Sequence, residues 1–151
     1  MLLEYSGLTM EHKPISLEDL VPHRGRMLLL SEVVSYDDKQ ATASAIVSEH
    51  WPMTTERGAN ALVLIELVAQ TAAINNGWQI IQRQGPEKDH RGWIVGIKSA
   101  QFFVDSIAVG TTIIVESRNQ FEYENFRVTH GVARIGNQIG AEVTLQLIQA
   151  E

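Results

Sequence analysis

The 151-residue chain contains no cysteine. That absence excludes disulfides, thiolate catalysis and cysteine-ligated metals. Positive charge is also scarce: 12 Lys and Arg stand against 18 Asp and Glu, for a formal net charge of −6. A duplex-binding surface has to be cationic, so no nucleic-acid partner is expected. No apolar run reaches membrane-spanning length without a polar interruption. The first ten residues lack the basic n-region and apolar core of a signal peptide, and a cytoplasmic protein is expected. There is no internal repeat, no low-complexity segment, and no G-x-G-x-x-G or P-loop. No His and carboxylate share a metal-type spacing such as H-E-x-x-H. Neither a cofactor nor a metal is therefore expected.

What is present is a globular composition, 44% hydrophobic and 20% charged, that fits one domain over 1–151 with a sizeable core. Residues 1–14 show no periodicity and read as a loose arm or an edge strand. Ser16 can cap a short helix whose first turn carries Glu18 and Asp19, where the dipole favours acids. Pro22 ends that helix. A strand is predicted over 27–36 and a turn at Asp37-Asp38-Lys39. Residues 40–48 alternate Ala41, Ala43, Ala45 and Val47 with polar side chains, a half-buried strand whose small inward face leaves room for something bulky. Residues 49–58 read as a loop. After a polar loop at 84–90, strands are predicted at about 93–104, 111–119, 121–135 and 138–148. Gly110 and Gly136-Asn137 mark turns between them.

Between the two groups of strands lies A-N-A-L-V-L-I-E-L-V-A-Q-T-A-A-I, residues 59–74, the start of a helix predicted to run to about Arg83. It is apolar on nearly every side, which places it in the middle of the domain. Glu66 sits at its centre, with Gln70 one turn later on the same side. Ionising a carboxylate in such surroundings costs several kcal/mol or more unless it finds partners. Glu66 is therefore a helix edge reaching solvent, half of a structural ion pair, or an active-site acid. Two strands, one buried helix and four strands predict an α+β fold, a curved antiparallel sheet wrapped around the helix. Such a sheet leaves an edge that a second copy would cover, so a homodimer is expected.

Four motifs, in order, resemble those of the FabZ-type 3-hydroxyacyl-carrier-protein dehydratases. Leu20 to Leu30, L-V-P-H-R-G-R-M-L-L-L, is similar to their Leu-Pro-His-Arg…Leu-Leu opening. His50-Trp51-Pro52 resembles their His-Phe-Pro turn. Leu62 to Gln70, L-V-L-I-E-L-V-A-Q, resembles their helix, in which a Glu precedes a Gln by four residues. Phe103 and Gly110 fall where the family has the Phe and Gly of Phe…Pro-Gly-Asp. The resemblance spans about residues 20–148. Met53 in place of glycine, Asn60-Ala61 in place of Pro-Gly and a longer interval from His50 to Glu66 make it similar to a divergent branch, the predicted dehydratases of aryl-polyene clusters.

The resemblance implies a hot-dog fold of about six strands around one long helix. It implies a lyase of fatty acid or polyketide biosynthesis that converts a 3-hydroxyacyl thioester, on acyl carrier protein or coenzyme A, to the trans-2-enoyl thioester. His50 and Glu66 would be catalytic, His50 of one chain facing Glu66 of another in a homodimer or dimer-based oligomer. Chemically, a base takes the C2 proton and an acid protonates the C3 hydroxyl. Histidine suits the first task, and a carboxyl raised by an apolar site suits the second. A backbone N–H at the helix start, at Ala61 or beside it, would hold the thioester oxyanion. Gln70 would orient Glu66 or a water, and Leu62, Ile65, Phe102 and Phe103 would line an acyl tunnel.

Among the remaining polar residues, His23 and Arg24 are expected to fix the turn before the first strand. His130 is expected to be a partly buried structural residue, and His12 and His90 to be solvated. Arg24, Arg26, Arg57 and Lys98 are the candidates for a basic patch facing an acidic carrier. Two other functions remain open. One is a hot-dog thioesterase in which Glu66 activates water or attacks the thioester without a histidine. The other is a non-catalytic acyl-binding or assembly subunit.

Overall fold

Ser16 caps the first helix by accepting a hydrogen bond from the Asp19 amide, while the Asp19 carboxylate accepts from the Ser16 amide. This capping box starts α1, Leu17–Leu20. Val21 is already extended, as the following proline requires. The computed structural model describes residues 15–150. The predicted arm at 1–14, with His12, lies outside the described residues.

The strand predicted from Met27 is shorter than expected. A 3-10 turn occupies Gly25–Met27, and β1 covers only Glu32–Tyr36. The reason lies in Gln70. Its Oε1 accepts from the amides of Leu29 (2.9 Å) and Leu30 (3.4 Å), and its Nε2 donates to the Met27 carbonyl at 2.7 Å. A side chain thus satisfies backbone groups that a neighbouring strand would otherwise pair.

β2 (Gln40–Ile46) follows, and Ala41, Ala43 and Ala45 are buried on its inner face as the alternation predicts. The expected loop at 49–58 contains a small hairpin, β3 (Thr54–Thr55) and β4 (Gly58–Asn60). Met53 enters it at φ 58°, a left-handed conformation that glycine tolerates better. The long helix α2 spans Val63–Gln84. β5 (Gly92–Phe102), β6 (Ser106–Ile107), β7 (Thr112–Tyr123), β8 (Phe126–Ile135) and β9 (Gln138–Gln149) complete the chain. The break predicted near residue 120 is a register shift between Asn119 and Phe121, and the turn itself falls at Glu124-Asn125, with Glu124 at φ 52°.

The main sheet has the order β1-β2-β7-β8-β9-β5, all antiparallel, and β3-β4-β6 form a second small sheet. The six strands wrap α2, which buries Val63, Leu64, Leu67, Val68, Ala72 and Ile74 against them. Each large aliphatic side chain buried this way contributes roughly 1.5–3 kcal/mol. The long helix comes close to its neighbours where bulk is missing. A Cβ on Gly131 would stand 2.2 Å from Val68 Cγ1, and one on Gly77 would stand 2.2 Å from the Leu20 carbonyl oxygen.

Polar residues inside this core are paired, as burial demands. Asn75 and Asn76 of α2 accept from Ser117 (3.2 Å) and Asn119 (2.8 Å) of β7, and Thr129 of β8 donates to Asn119 at 2.7 Å. At the far end of the helix, Gln79 bonds Glu122, Arg127 and the Asp38 carbonyl. No helix among the described residues is long and apolar enough to cross a membrane.

Candidate functional site

One stripe of α2 leaves a gap between helix and sheet. Glu66, Ala69, Ala73 and Asn76 follow the spacing i, i+3, i+7, i+10, so they share a face. That face borders a cavity of about 110 Å³. Across it stand Trp93 and Ile94 from β5 with Leu147 and Ile148 from β9, an apolar wall. The two alanines keep the space open, and Pro22, His23 and His90 bring loops to its polar end.

His23 reaches this position because its turn is braced. The Arg24 guanidinium donates to the carbonyls of Val21 (2.6 Å), His23 (2.8 Å) and Glu18 (2.8 Å). Arg24 therefore fixes the turn as expected, but His23 does more than that: its Nε2 lies 3.7 Å from Glu66 Oε2. Three buried polar atoms here make no hydrogen bond among the described residues: His23 Nδ1, Glu66 Oε2 and His90 Nε2. His90, expected to be solvated, thus has one ring nitrogen buried at the cavity. Burial pushes the Glu66 carboxyl above its ordinary value, opposed in part by the charge of His23 and by the Gln70 amide. A carboxyl so placed can hold a proton at higher pH than an exposed one. The Leu-Pro-His-Arg-like motif was the sequence signal that could have brought His23 into the site.

The other predicted residues fall in three places. His50 sits on the loop after β2, its side chain 67% exposed and 3.5 Å from Glu49, outside the Glu66 cavity. Gln70, expected to orient Glu66 or a water, is fully buried, and its amide is engaged by the 27–30 segment. The Ala61 amide, expected to be an oxyanion donor, already donates to the Asp105 carbonyl at 3.0 Å. Leu62 and Phe103 are about half exposed, Ile65 and Phe102 are half-buried, and none of the four borders the cavity. The apolar residues that border it are Trp93 and Ile94 of β5 and Leu147 and Ile148 of β9. His130 is half-buried and pairs its Nδ1 with Thr144 Oγ1 at 3.0 Å, a structural role as expected.

This arrangement of sheet, helix and helix-borne carboxylate can be compared with known proteins. The family model of the ApeP dehydratase matches residues 15–151. The chain belongs to the ApeP-like dehydratase family. Among curated protein sequences nothing matches it. Among solved structures, ApeP-like architecture recurs in the dehydratase heterocomplex ApeI:P from Xenorhabdus doucetiae, at 17% identity and TM-score 0.80, over 92% of this chain and 93% of that one. The E. coli PaaI protein from the phenylacetic acid degradation operon is similar at 13% identity and TM-score 0.59, over 78% of this chain and 81% of that one. A hypothetical thioesterase with coenzyme A from Streptococcus pneumoniae is similar at 11% identity and TM-score 0.59, over 79% and 84%. The fold is the hot-dog fold. Within the ApeP-like frame, the expectations of a FabZ-like relative and of an α+β sheet around one helix both hold.

Proposed function

We propose that the chain dehydrates a 3-hydroxyacyl thioester to the trans-2-enoyl thioester, with Glu66 as the acid. One observation carries this reading: a partly buried carboxylate on the central helix, raised by burial, faces a cavity with apolar walls. Glu66 gives its proton to the C3 hydroxyl, the C3–O bond breaks, and water leaves. The C2 proton goes to an imidazole, which we assign to His50 of a second chain. Its exposure on the loop after β2 supports that assignment. Ala69 and Ala73 open room for the acyl chain beside Trp93 and Ile94. The carrier is an acyl carrier protein or coenzyme A.

Assembly with a second chain forms part of the reading. β5 pairs with β9 on one side only and forms an edge of the main sheet. Trp93, Val95 and Ile97 on it are each about half exposed. We assign this edge to a second copy of the chain, which would bring His50 and Glu66 of different chains to one site.

The deciding experiment follows formation of the enoyl thioester from 3-hydroxyacyl thioesters. Glu66→Gln and His50→Ala should each lower the rate by about 10²-fold or more. Full turnover by Glu66→Gln would sink the dehydratase reading. Thiol release without enoyl product, insensitive to loss of His50, would instead establish a thioesterase.

A further inference from the structure

Dehydration leaves Glu66 as a carboxylate in a partly desolvated site, and it must be reprotonated before the next turnover. The groups that face it set the route. From its own helix comes Gln70, whose amide is engaged by the 27–30 segment. From the turn after α1 comes His23, and from the loop before β5 comes His90; the facing wall of β5 and β9 is uncharged. Of these, His23 is within 3.7 Å, Nε2 to Oε2. That gap is too long for a hydrogen bond but short enough to close by a small side-chain movement or to bridge with one water.

A histidine serving only its turn would keep its ring nitrogens on backbone groups. His23 does not: Nε2 points at Glu66, and Nδ1 is buried without a hydrogen bond. The turn is held by Arg24 instead, through three carbonyls. An unpaired buried polar atom costs roughly 1–3 kcal/mol, so an imidazole arranged in this way calls for a purpose beyond packing. His90 Nε2, also buried and without a hydrogen bond, borders the same cavity.

We propose that His23 returns to Glu66 the proton that Glu66 gives to the leaving hydroxyl, so that a single chain carries the acid together with the group that recharges it. This rests on the dehydratase reading. The protons balance. Glu66 protonates the C3 oxygen, which departs as water with the electron pair of the C3–O bond. The C2 base takes the C2 proton, and the C2–H electron pair becomes the second C2–C3 bond. The His23 imidazolium then passes its Nε2 proton to Glu66 Oε2, leaving neutral imidazole and a carboxylic acid. The C2 base releases its proton to solvent, and one from solvent returns to His23. His23 acts through Glu66 and is a positioning residue.

Imidazole rescue tests this. In His23→Ala, kcat for enoyl formation should fall by about 10²-fold with KM nearly unchanged, and added imidazole should restore it at least about tenfold in a saturable manner. His23→Gln, whose side chain fills the space but cannot titrate, should be folded, slow and insensitive to imidazole. Wild-type kcat in both variants would overturn the proposal, and so would a loss in His23→Ala that imidazole does not relieve. A carbon-13 titration of the Glu66 carboxyl gives a readout independent of turnover. Its midpoint should move to higher pH in His23→Gln, because the opposing positive charge is gone; an unmoved midpoint overturns the coupling. Loss of turnover in Glu66→Gln but not in His23→Ala would refute this inference and leave the dehydratase reading standing. Retention in Glu66→Gln would remove both.

Discussion

Glu66 is at once the residue that best explains a function and the one least suited to its surroundings. Burial raises its carboxyl, so the folded state holds a proton that the unfolded chain has already lost. The stability that protonated Glu66 contributes is complete below the ordinary glutamate range and is lost as pH rises through the raised value. Glu66→Gln has no charge to desolvate. It should melt close to the wild type at pH 4 and prove more stable by roughly 0.5–1 kcal/mol at pH 8, while turning over poorly. Thermal melts of both proteins across that range would show the widening gap, and parallel curves would contradict it. Met53 carries a different tension, since a side chain occupies a φ of 58° where the resembled family has glycine.

At the scale of elements, α2 and β8 meet in close contact. Gly131 lets the strand pass beneath Val68, and any Cβ there would meet Val68 Cγ1 at 2.2 Å and Cγ2 at 2.7 Å. Gly131→Ala should therefore cost about 1–3 kcal/mol through overpacking. Val68→Ala removes both methyls that create the clash, so the double variant should be more stable than the sum of the two single losses. A chemical-denaturation cycle measures this, and strict additivity would mean that the strain lies elsewhere. The same helix is fixed by polar pairs on its other faces. Gln70 ties down the 27–30 segment, and Gln79 with Arg127 and Glu122 ties down its C-terminal end.

For the whole molecule, the edge of β5 decides whether the site is complete in one chain or needs two. Eleven residues with half-exposed Trp93, Val95 and Ile97 form a long apolar edge, which soluble proteins rarely leave open. Two-fold pairing would set like positions against one another, so Val95→Lys with Ile97→Lys would place charges opposite charges. Sedimentation should show the assembly at least about tenfold weaker, which is about 1.4 kcal/mol or more for the pair of changes. Conversion that depends on His50 should fall with it. A monomeric wild type, or one that assembles only with a different hot-dog chain, would correct the choice of a second copy.

The one-dimensional pattern determined those features that depend on neighbours in sequence. These were the Ser16 cap, the alternating alanines of β2, the Gly110 and Gly136 turns, the strands of the second half and the apolar helix around Glu66. Periodicity and capping are local, and each is written within a few residues. Only the tertiary structure decided that His23 stands beside Glu66 and His90 at the same cavity. It also decided that Gln70 holds a loop, that the Ala61 amide is already engaged, and that residues 27–31 are not strand. These depend on which backbone groups and side chains meet across elements far apart in the chain, which a wrapped helix fixes and no spacing records. The sequence could mark Glu66 as a carboxylate in apolar surroundings; the fold set a histidine 3.7 Å from it.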